Sequence, residues 1–130
     1  MDDLYQEELL DLYHHPHNFG EMVDPTCTVV ETNASCGDTL KLDLKVERHD
    51  SIPTVVDARF TGVGCAVSIA STSLLTDFIK NKTIAELKSI DYDFMQKLLG
   101  TTISPGRIKC LTLSARALMN ALNQALGNIA

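Results

Sequence analysis

The sequence lacks tryptophan, and only 5% of its 130 residues are aromatic. Its length is that of an ordinary domain, and its 45% hydrophobic content is sufficient for a core. Because large aromatic side chains are scarce, we expect leucine, isoleucine, valine and alanine to form most of that core. The sequence also has no internal repeat, linker or low-complexity tract. We therefore expect residues 1–130 to form a single domain.

An excess of positive charge is also missing. The sequence has 11 lysines and arginines but 17 acidic residues, which gives a net charge of −6. Binding to phosphate backbones depends on clustered lysine and arginine, whereas the basic residues here are scattered along the chain. The composition argues against nucleic acid and against an acidic membrane surface as partners. It is compatible with metal cations and with basic proteins.

Long apolar segments are absent as well. No run approaches the ~20 apolar residues of a membrane span. Residues 1–4 are acidic, whereas a secretory signal begins with positive charge and continues into an apolar stretch. We therefore expect a cytoplasmic protein, in which thiols stay reduced. Under those conditions the four cysteines are more often ligands or nucleophiles than disulfide partners.

The spacing of apolar residues predicts one helix, then three strands, then further helices. Short polar connections between the strands indicate an antiparallel meander. Strands segregated from helices are typical of an α+β fold, with a three-stranded antiparallel sheet covered on one face by helices. The predicted strands cover residues 26–32, 40–46 and 54–61, and the predicted helices cover residues 3–13, 66–80, 83–89, 91–99 and a last segment that begins near Ser104 and Pro105.

Within these elements, the periodicity also predicts which side chains are buried. The middle strand alternates with a period of two, which is typical of one buried and one wet face. Small residues such as Ser68 would let the 66–80 helix lie close to the sheet. The predicted inward positions are Leu40, Leu42, Leu44 and Val46 in the second strand, Val56, Ala58 and Phe60 in the third, and Leu111, Ala115, Leu118, Leu122 and Ala125 in the last helix, while Lys41, Asp43 and Lys45 are predicted on the wet face.

Three cysteines occupy predicted boundaries between elements. Cys36 lies in a turn before a strand, Cys65 at a strand-to-helix junction and Cys110 near the start of the last helix. The positive end of a helix dipole stabilises a thiolate, which favours both metal binding and nucleophilic attack. Asp38 is two residues from Cys36, so both side chains could reach one ion. Thiolates with one carboxylate suit a tetrahedral zinc or an iron site.

Spacing alone does not decide whether these cysteines bind metal. The 28 residues between Cys36 and Cys65, and the 44 between Cys65 and Cys110, match no simple zinc-finger pattern. A buried cysteine is commonly a small core residue, and Cys27, on the predicted first strand, is interpreted as core or surface filler. Three histidines close together in the sequence are interpreted as residues of an exposed helix end rather than as a metal site. They are His14, His15 and His17.

Four segments in order carry a family resemblance. Residues 5–20 hold a tyrosine-containing helix followed by His-Pro-His-Asn-Phe-Gly, and residues 33–38 end in Cys-Gly-Asp. Residues 62–73 begin Gly-Val-Gly-Cys, and residues 105–113 contain Arg-Ile-Lys-Cys. Together they resemble the IscU, SufU and NifU-type iron–sulfur cluster assembly scaffolds along nearly the whole chain.

The resemblance implies a site made of Cys36, Asp38, Cys65 and Cys110. In such scaffolds the site accepts sulfur from a cysteine desulfurase, takes up iron and holds a transient [2Fe–2S] cluster. The cluster then passes to recipient apo-proteins or a carrier. Cys36 and Cys110 are the candidate persulfide acceptors, and zinc occupies the same ligands in many members. The implied working unit is a monomer or a weak homodimer.

Two further functions stay open. The first is a zinc-dependent, SufU-type sulfurtransferase that relays persulfide sulfur, and the second is a zinc-stabilised interaction domain without sulfur chemistry. Lys109 stands where IscU-type chains have histidine, and the chaperone-recognition stretch at residues 103–109 is weakened, which favours the relay. The gap between Cys65 and Cys110 is shorter than in SufU-type chains, which favours the scaffold.

Overall fold

A computed structural model describes residues 3–34, 37–100 and 103–129. The three strands form an antiparallel sheet in the order β1-β2-β3, so the predicted α+β meander is confirmed. The strands are β1 (Cys27–Asn33), β2 (Asp38–His49) and β3 (Ile52–Val63); the helices are α1 (Asp3–His14), α2 (Ala66–Ile79), α3 (Ile84–Leu87), α4 (Tyr92–Leu99) and α5 (Ile108–Ile129), and a 3-10 turn (Pro105–Arg107) leads into α5. Among the described residues, no helix combines the length and apolarity needed to cross a membrane.

The alternation predicted for β2 is confirmed on the helix-facing side. Leu40, Leu42, Leu44 and Val46 are all buried there. The opposite face is not uniformly wet, because residues 21–26 cross it. Asp43 is buried beneath that segment, where it accepts hydrogen bonds from the Met22 N–H at 3.1 Å and from the Thr28 hydroxyl at 2.6 Å. The prediction that the Asp43 side chain is wet is therefore wrong.

A β-bulge in β3 changes which side chains enter the core. Lys45 pairs with Asp57, but Val46 pairs with Val55, so Val56 is an extra residue. The bulge shifts the alternation by one position. Val55 is fully buried and Val56 only partly so, which makes the prediction of an inward Val56 wrong. Beyond the bulge, Ala58 and Phe60 are buried as predicted.

The helices lie on one face of the sheet. α5 packs against β1 and β2, α2 packs against β3 and α5, and α1 packs against α2. The predicted α5 stripe is buried throughout; it consists of Leu111, Ala115, Leu118, Leu122 and Ala125. On α2 the residues Ser68, Ala70, Ser71 and Ser73 are also buried. Their small side chains fit a helix packed closely between its neighbours.

Capping interactions fix the two short helices between α2 and α5. The Thr83 hydroxyl accepts a hydrogen bond from the Glu86 N–H, and the Glu86 carboxylate accepts one from the Thr83 N–H, which is a capping box. The Asp91 carboxylate caps α4 by accepting from the Phe94 N–H. Gly100 ends α4 in the left-handed conformation, which glycine adopts without a steric penalty.

The two edges of the sheet differ. At the outer edge of β3, the Phe60 N–H donates to the Asn18 carbonyl at 3.0 Å, and the Gly20 N–H donates to the Phe60 carbonyl at 2.8 Å. Further along, Val55 exchanges hydrogen bonds with residues 81 and 82. These contacts hold the segment after α1 and the segment after α2 against β3. The outer edge of β1 has no such cover among the described residues.

Candidate functional site

Three of the four predicted ligands come together at one end of the sheet. Asp38 begins β2, Cys65 is the N-cap residue of α2, and Cys110 lies in the first turn of α5. One carboxylate oxygen and the two Sγ atoms lie within 4.8 Å of one another. Asp38 and Cys110 are buried and Cys65 is half-buried. Cys36 lies outside the described residues, so its place in this site stays a prediction.

The backbone explains why these side chains meet. Asp38 has the same parity in β2 as Leu40 and Leu42, so its side chain lies on the helix-covered face. The turn at Gly64 then brings the start of α2 over that carboxylate. A Cβ on Gly64 would lie 2.9 Å from Asp38 Oδ1 and 2.7 Å from Ser68 Oγ. Only glycine fits at this close approach without moving the two side chains.

Hydrogen bonds hold the Asp38 carboxylate in a fixed orientation. Its Oδ1 accepts from the Cys65 N–H at 3.2 Å, and its Oδ2 accepts from the Ser68 hydroxyl at 3.0 Å. The Ser68 Oγ also lies 3.4 Å from Cys65 Sγ. One buried serine therefore contacts both the carboxylate and a thiol of the candidate site.

The environment favours the thiolate form of Cys65. Burial alone would raise the pKa of this thiol, but hydrogen bonds from Ser68, and then from Cys110 and Arg107, outweigh burial and lower the pKa below its usual value. In turn, the hydrogen bond with Cys65 and the negative charge of the Cys65 and Cys110 sulfurs in their thiolate form raise the pKa of the Arg107 guanidinium. A thiol with a lowered pKa is a better metal ligand and a more available nucleophile.

The donor set fits a metal ion. Two sulfurs and a carboxylate oxygen in a partly buried pocket provide soft and hard donors at once, as zinc and iron sites require. Sequence reasoning missed two residues that support this set. Ser68 follows Cys65 by one helical turn, but its small side chain predicts only close packing of the helix. Arg107 belongs to a family motif, but its contact with Cys65 depends on how α2 and α5 pack, which the motif does not reveal.

The remaining cysteine and the histidines lie elsewhere. Cys27 is buried in β1, its thiol donates to the Ala121 carbonyl at 3.2 Å, and burial raises its pKa to about 11. His14, His15 and His17 are exposed at the end of α1 and after it, as predicted. His17 Nδ1 lies 2.6 Å from Asp77 Oδ2. Within the described part of the chain, the histidines join no group of three potential metal ligands.

Comparison with known proteins gives a consistent family. Residues 4–129 match the family model described as the NifU-like N-terminal domain. The zinc-dependent sulfurtransferase SufU of Bacillus subtilis is 35% identical, over 91% of this chain and 88% of that protein. The iron–sulfur cluster assembly enzyme IscU of Drosophila melanogaster is 34% identical, over 92% of this chain and 76% of that protein. The crystal structure of a NifU-like protein from Brucella abortus shares the fold, with a TM-score of 0.74, 19% identity and coverage of 97% of this chain and 96% of that one.

The alignments with the two relatives differ in length. The alignment with the Bacillus protein runs over 135 positions, although 91% of this 130-residue chain is only about 118 residues. Within the aligned region, the Bacillus protein therefore has about 17 residues that match a gap in this chain. The alignment with the Drosophila protein runs over 122 positions and covers 92% of the chain, so it is nearly free of such gaps. Within the aligned region, this chain is therefore closer in length to the Drosophila protein.

Proposed function

The chain belongs to the NifU-like N-terminal domain family, and on that premise we propose that it is an iron–sulfur cluster assembly scaffold. It accepts sulfur from a cysteine desulfurase, binds iron, and holds a transient [2Fe–2S] cluster for transfer to apo-proteins or a carrier. Its place of action is the cytoplasm, where thiols stay reduced. The observation that carries the proposal is the meeting of the Asp38 carboxylate with the Cys65 and Cys110 thiols within 4.8 Å.

The ligands we assign to the cluster are Cys36, Asp38, Cys65 and Cys110. Thiolates bind iron firmly, while a carboxylate is a harder ligand that exchanges more readily. A site with one carboxylate therefore suits temporary holding, whereas an electron-transfer site normally uses four thiolates. The lowered pKa of Cys65 supports its role as a thiolate ligand.

We assign the Cys36 and Cys110 thiols as persulfide acceptors. The accepting thiolate attacks the outer sulfur of the desulfurase persulfide, and the desulfurase thiolate leaves. The transferred sulfur must gain two electrons to become sulfide, and a dithiol or an electron-transfer protein supplies them. Cys110 is buried beside Cys65. Sulfur received there is held next to the other proposed ligands.

The test is anaerobic reconstitution with ferrous iron, L-cysteine, dithiothreitol and a cysteine desulfurase, followed by visible absorbance and circular dichroism. We expect a [2Fe–2S] chromophore in the wild-type chain and none in Cys65→Ser or Cys110→Ser. Asp38→Ala should extend the lifetime of the chromophore, because its most labile ligand is removed. Cys27→Ala is the control and should load normally, since Cys27 lies in the core away from the site. A chromophore unaffected by Cys65→Ser and Cys110→Ser would contradict the assignment.

The second candidate is a zinc-dependent sulfurtransferase that uses the same residues to hold zinc. It is favoured by the Bacillus relative and by the exposed Lys109 beside Cys110. The alignment with the Drosophila protein is nearly free of gaps in this chain, and this favours the scaffold. The relay predicts that zinc stays bound, no chromophore forms, and desulfurase turnover rises severalfold. Lys109→His separates the two further: it should strengthen cluster retention in a scaffold and leave a relay without a cluster. If neither a chromophore nor stimulated turnover is found, both candidates are wrong.

A further inference from the structure

The outer edge of β1 is open in the part of the chain that the structure describes. β1 lies at the margin of the sheet, and no described residue pairs with its outer side. The outer edge of β3, in contrast, bonds to residues 18–20 and 81–82. An open edge offers backbone donors and acceptors to an extended chain.

The ladder identifies which backbone groups point outward from β1. In an antiparallel pair, the N–H and C=O of successive residues point to alternate sides. Phe60 directs both groups away from β2, because they bond to residues 18 and 20. Its β2 partner Leu42 must then direct its groups to β1, where Val29 lies opposite. The outward-facing groups therefore belong to every second residue, namely Thr28, Val30 and Thr32.

A groove runs beside this edge, between β1 and α5. One part has a volume of about 370 Å³ and is lined by Thr32, Asn33 and Lys109. The other part, of about 430 Å³, extends to Glu31, Met119 and Tyr92. Thr112 and Arg116 line both parts, so the groove is continuous along the end of β1. Side chains on the helix-facing side of an added strand would enter it.

The charges of this groove differ from those of the whole chain. Lys109 and Arg116 are exposed, and neither forms an ion pair with a residue that the structure describes. Glu31 is the only carboxylate among the lining residues described, and its oxygen already accepts a hydrogen bond from Asn120. The groove thus presents two cations against one anion, on a chain whose net charge is −6.

We propose that this edge and groove bind an extended acidic segment of a partner protein, which adds to β1 as a fourth strand. The backbone of the segment pairs with the outward groups of Thr28, Val30 and Thr32. Carboxylates at alternate positions face the groove and pair with Lys109 and Arg116. On the opposite side, apolar or threonine side chains cover Val30, which is 59% exposed. The interaction goes beyond cluster assembly, because it requires neither metal nor sulfur.

The test is fluorescence anisotropy on the reduced chain in the presence of a chelator. The probe is a fluorescein-labelled, amidated peptide with the sequence Thr-Glu-Val-Glu-Val-Glu-Thr, and the control peptide carries lysine in place of each glutamate. We expect the acidic peptide to bind at least tenfold more tightly. Arg116→Glu should weaken binding at least tenfold. Lys88→Glu makes the same charge change on an exposed lysine outside the groove, so it should alter binding less than twofold.

A proline substitution tests the backbone pairing directly. Val30→Pro removes an outward N–H and no β1–β2 hydrogen bond, and proline is tolerated on edge strands with that orientation. It should weaken binding at least tenfold, whereas Val30→Ala should stay within threefold. Circular dichroism checks that the proline variant is folded. An N-methyl group on either of the two valines of the peptide probes the same pairing without changing the chain, and it should also weaken binding.

Several results would overturn this proposal. One is equal binding of the acidic peptide and the lysine peptide. Another is unchanged binding when the chain carries Val30→Pro or when the peptide carries the N-methyl group. Sedimentation of the chain alone tests the other occupant of the edge. A dimer that Val30→Pro dissociates, without any binding of the acidic peptide, would assign the edge to a second copy of the chain. Because no iron is used, these outcomes are independent of the reconstitution experiment.

Discussion

The hydroxyl of Ser68 provides the sharpest test of how the candidate site is held together. Ser68→Ala removes the hydrogen bond to Asp38 Oδ2, while the bond from the Cys65 N–H to Oδ1 remains. A hydrogen bond to a charged group contributes about 1.5–3 kcal/mol. Alanine recovers about 0.5 kcal/mol through its higher helix propensity. We therefore expect the free energy of unfolding to fall by about 1–2.5 kcal/mol at pH 7, measured by urea denaturation of the reduced, metal-free chain.

The same substitution should change the titration of Cys65. Among the groups that lower the pKa of this thiol, the Ser68 hydroxyl contributes most, and Ser68→Ala removes it while the bond from the residue 68 N–H remains. Loss of the hydroxyl raises the pKa of Cys65 and slows its alkylation by iodoacetamide at neutral pH. In the wild-type chain the folded-state pKa lies below the unfolded value of 9.0. Ionisation of Cys65 therefore adds stability as the pH rises from the folded-state pKa towards 9, and this contribution is absent at lower pH. The stability difference between wild type and Ser68→Ala should widen over that interval.

Ser71→Ala is the matched control for this experiment. Ser71 is also buried on α2, but its hydroxyl donates only to the neutral Ser68 carbonyl at 3.2 Å. We expect a loss below about 1 kcal/mol and an unchanged pH profile of Cys65 alkylation, followed by mass spectrometry of the labelled peptide. If both variants lose the same stability and alkylate at the same rate, the role assigned to Ser68 is refuted.

Three further predictions concern Gly64 at the candidate site, Ser51 in the turn between β2 and β3, and the buried thiol of Cys27. Gly64→Ala should lower stability by about 1–3 kcal/mol and weaken zinc binding, because its Cβ would lie 2.7 and 2.9 Å from two oxygens of the site. Gly106→Ala, where nothing lies within 4 Å, should do neither. Ser51→Gly should raise the free energy of unfolding by about 0.5–1 kcal/mol, since Ser51 has a φ of 68° in a two-residue hairpin turn, and a lowered melting temperature would contradict this. Cys27 should be alkylated last at pH 8. Above pH 9 its raised pKa should make unfolding easier, because the unfolded thiol ionises first, and this slope should vanish in Cys27→Ala.

The sequence predicted the regular parts of the sheet because they obey one rule. Leu40, Leu42 and Leu44 alternate with polar residues, and a strand with one buried face requires that pattern. The rule failed where a tertiary feature intervened. Val56 occupies a bulge, and neither the bulge nor its position has a signal in the local pattern. Asp43 is buried because residues 21–26 happen to cross it, which the sequence of β2 alone does not reveal.

The candidate site was found by resemblance rather than by spacing. The gaps between the cysteines match no known finger, and only the family motifs joined Asp38 to Cys65 and Cys110 in one prediction. The structure brings these three groups together, while Cys36 lies outside the described residues. Ser68 and Arg107 were not predicted as parts of the site. Their contacts depend on where the ends of α2 and α5 lie relative to each other, and a chain-order argument contains no such information.

The coverage of β3 by the segments after α1 and α2 limits how the protein can associate. Sheets polymerise into a fibre only when both edge strands of each molecule are free, so that each molecule can pair with two neighbours. Here Asn18, Gly20 and the backbone near Lys82 already occupy positions along one side. Association through the β1 edge would therefore stop at two partners. The fold permits a closed complex of two chains and resists open-ended polymerisation.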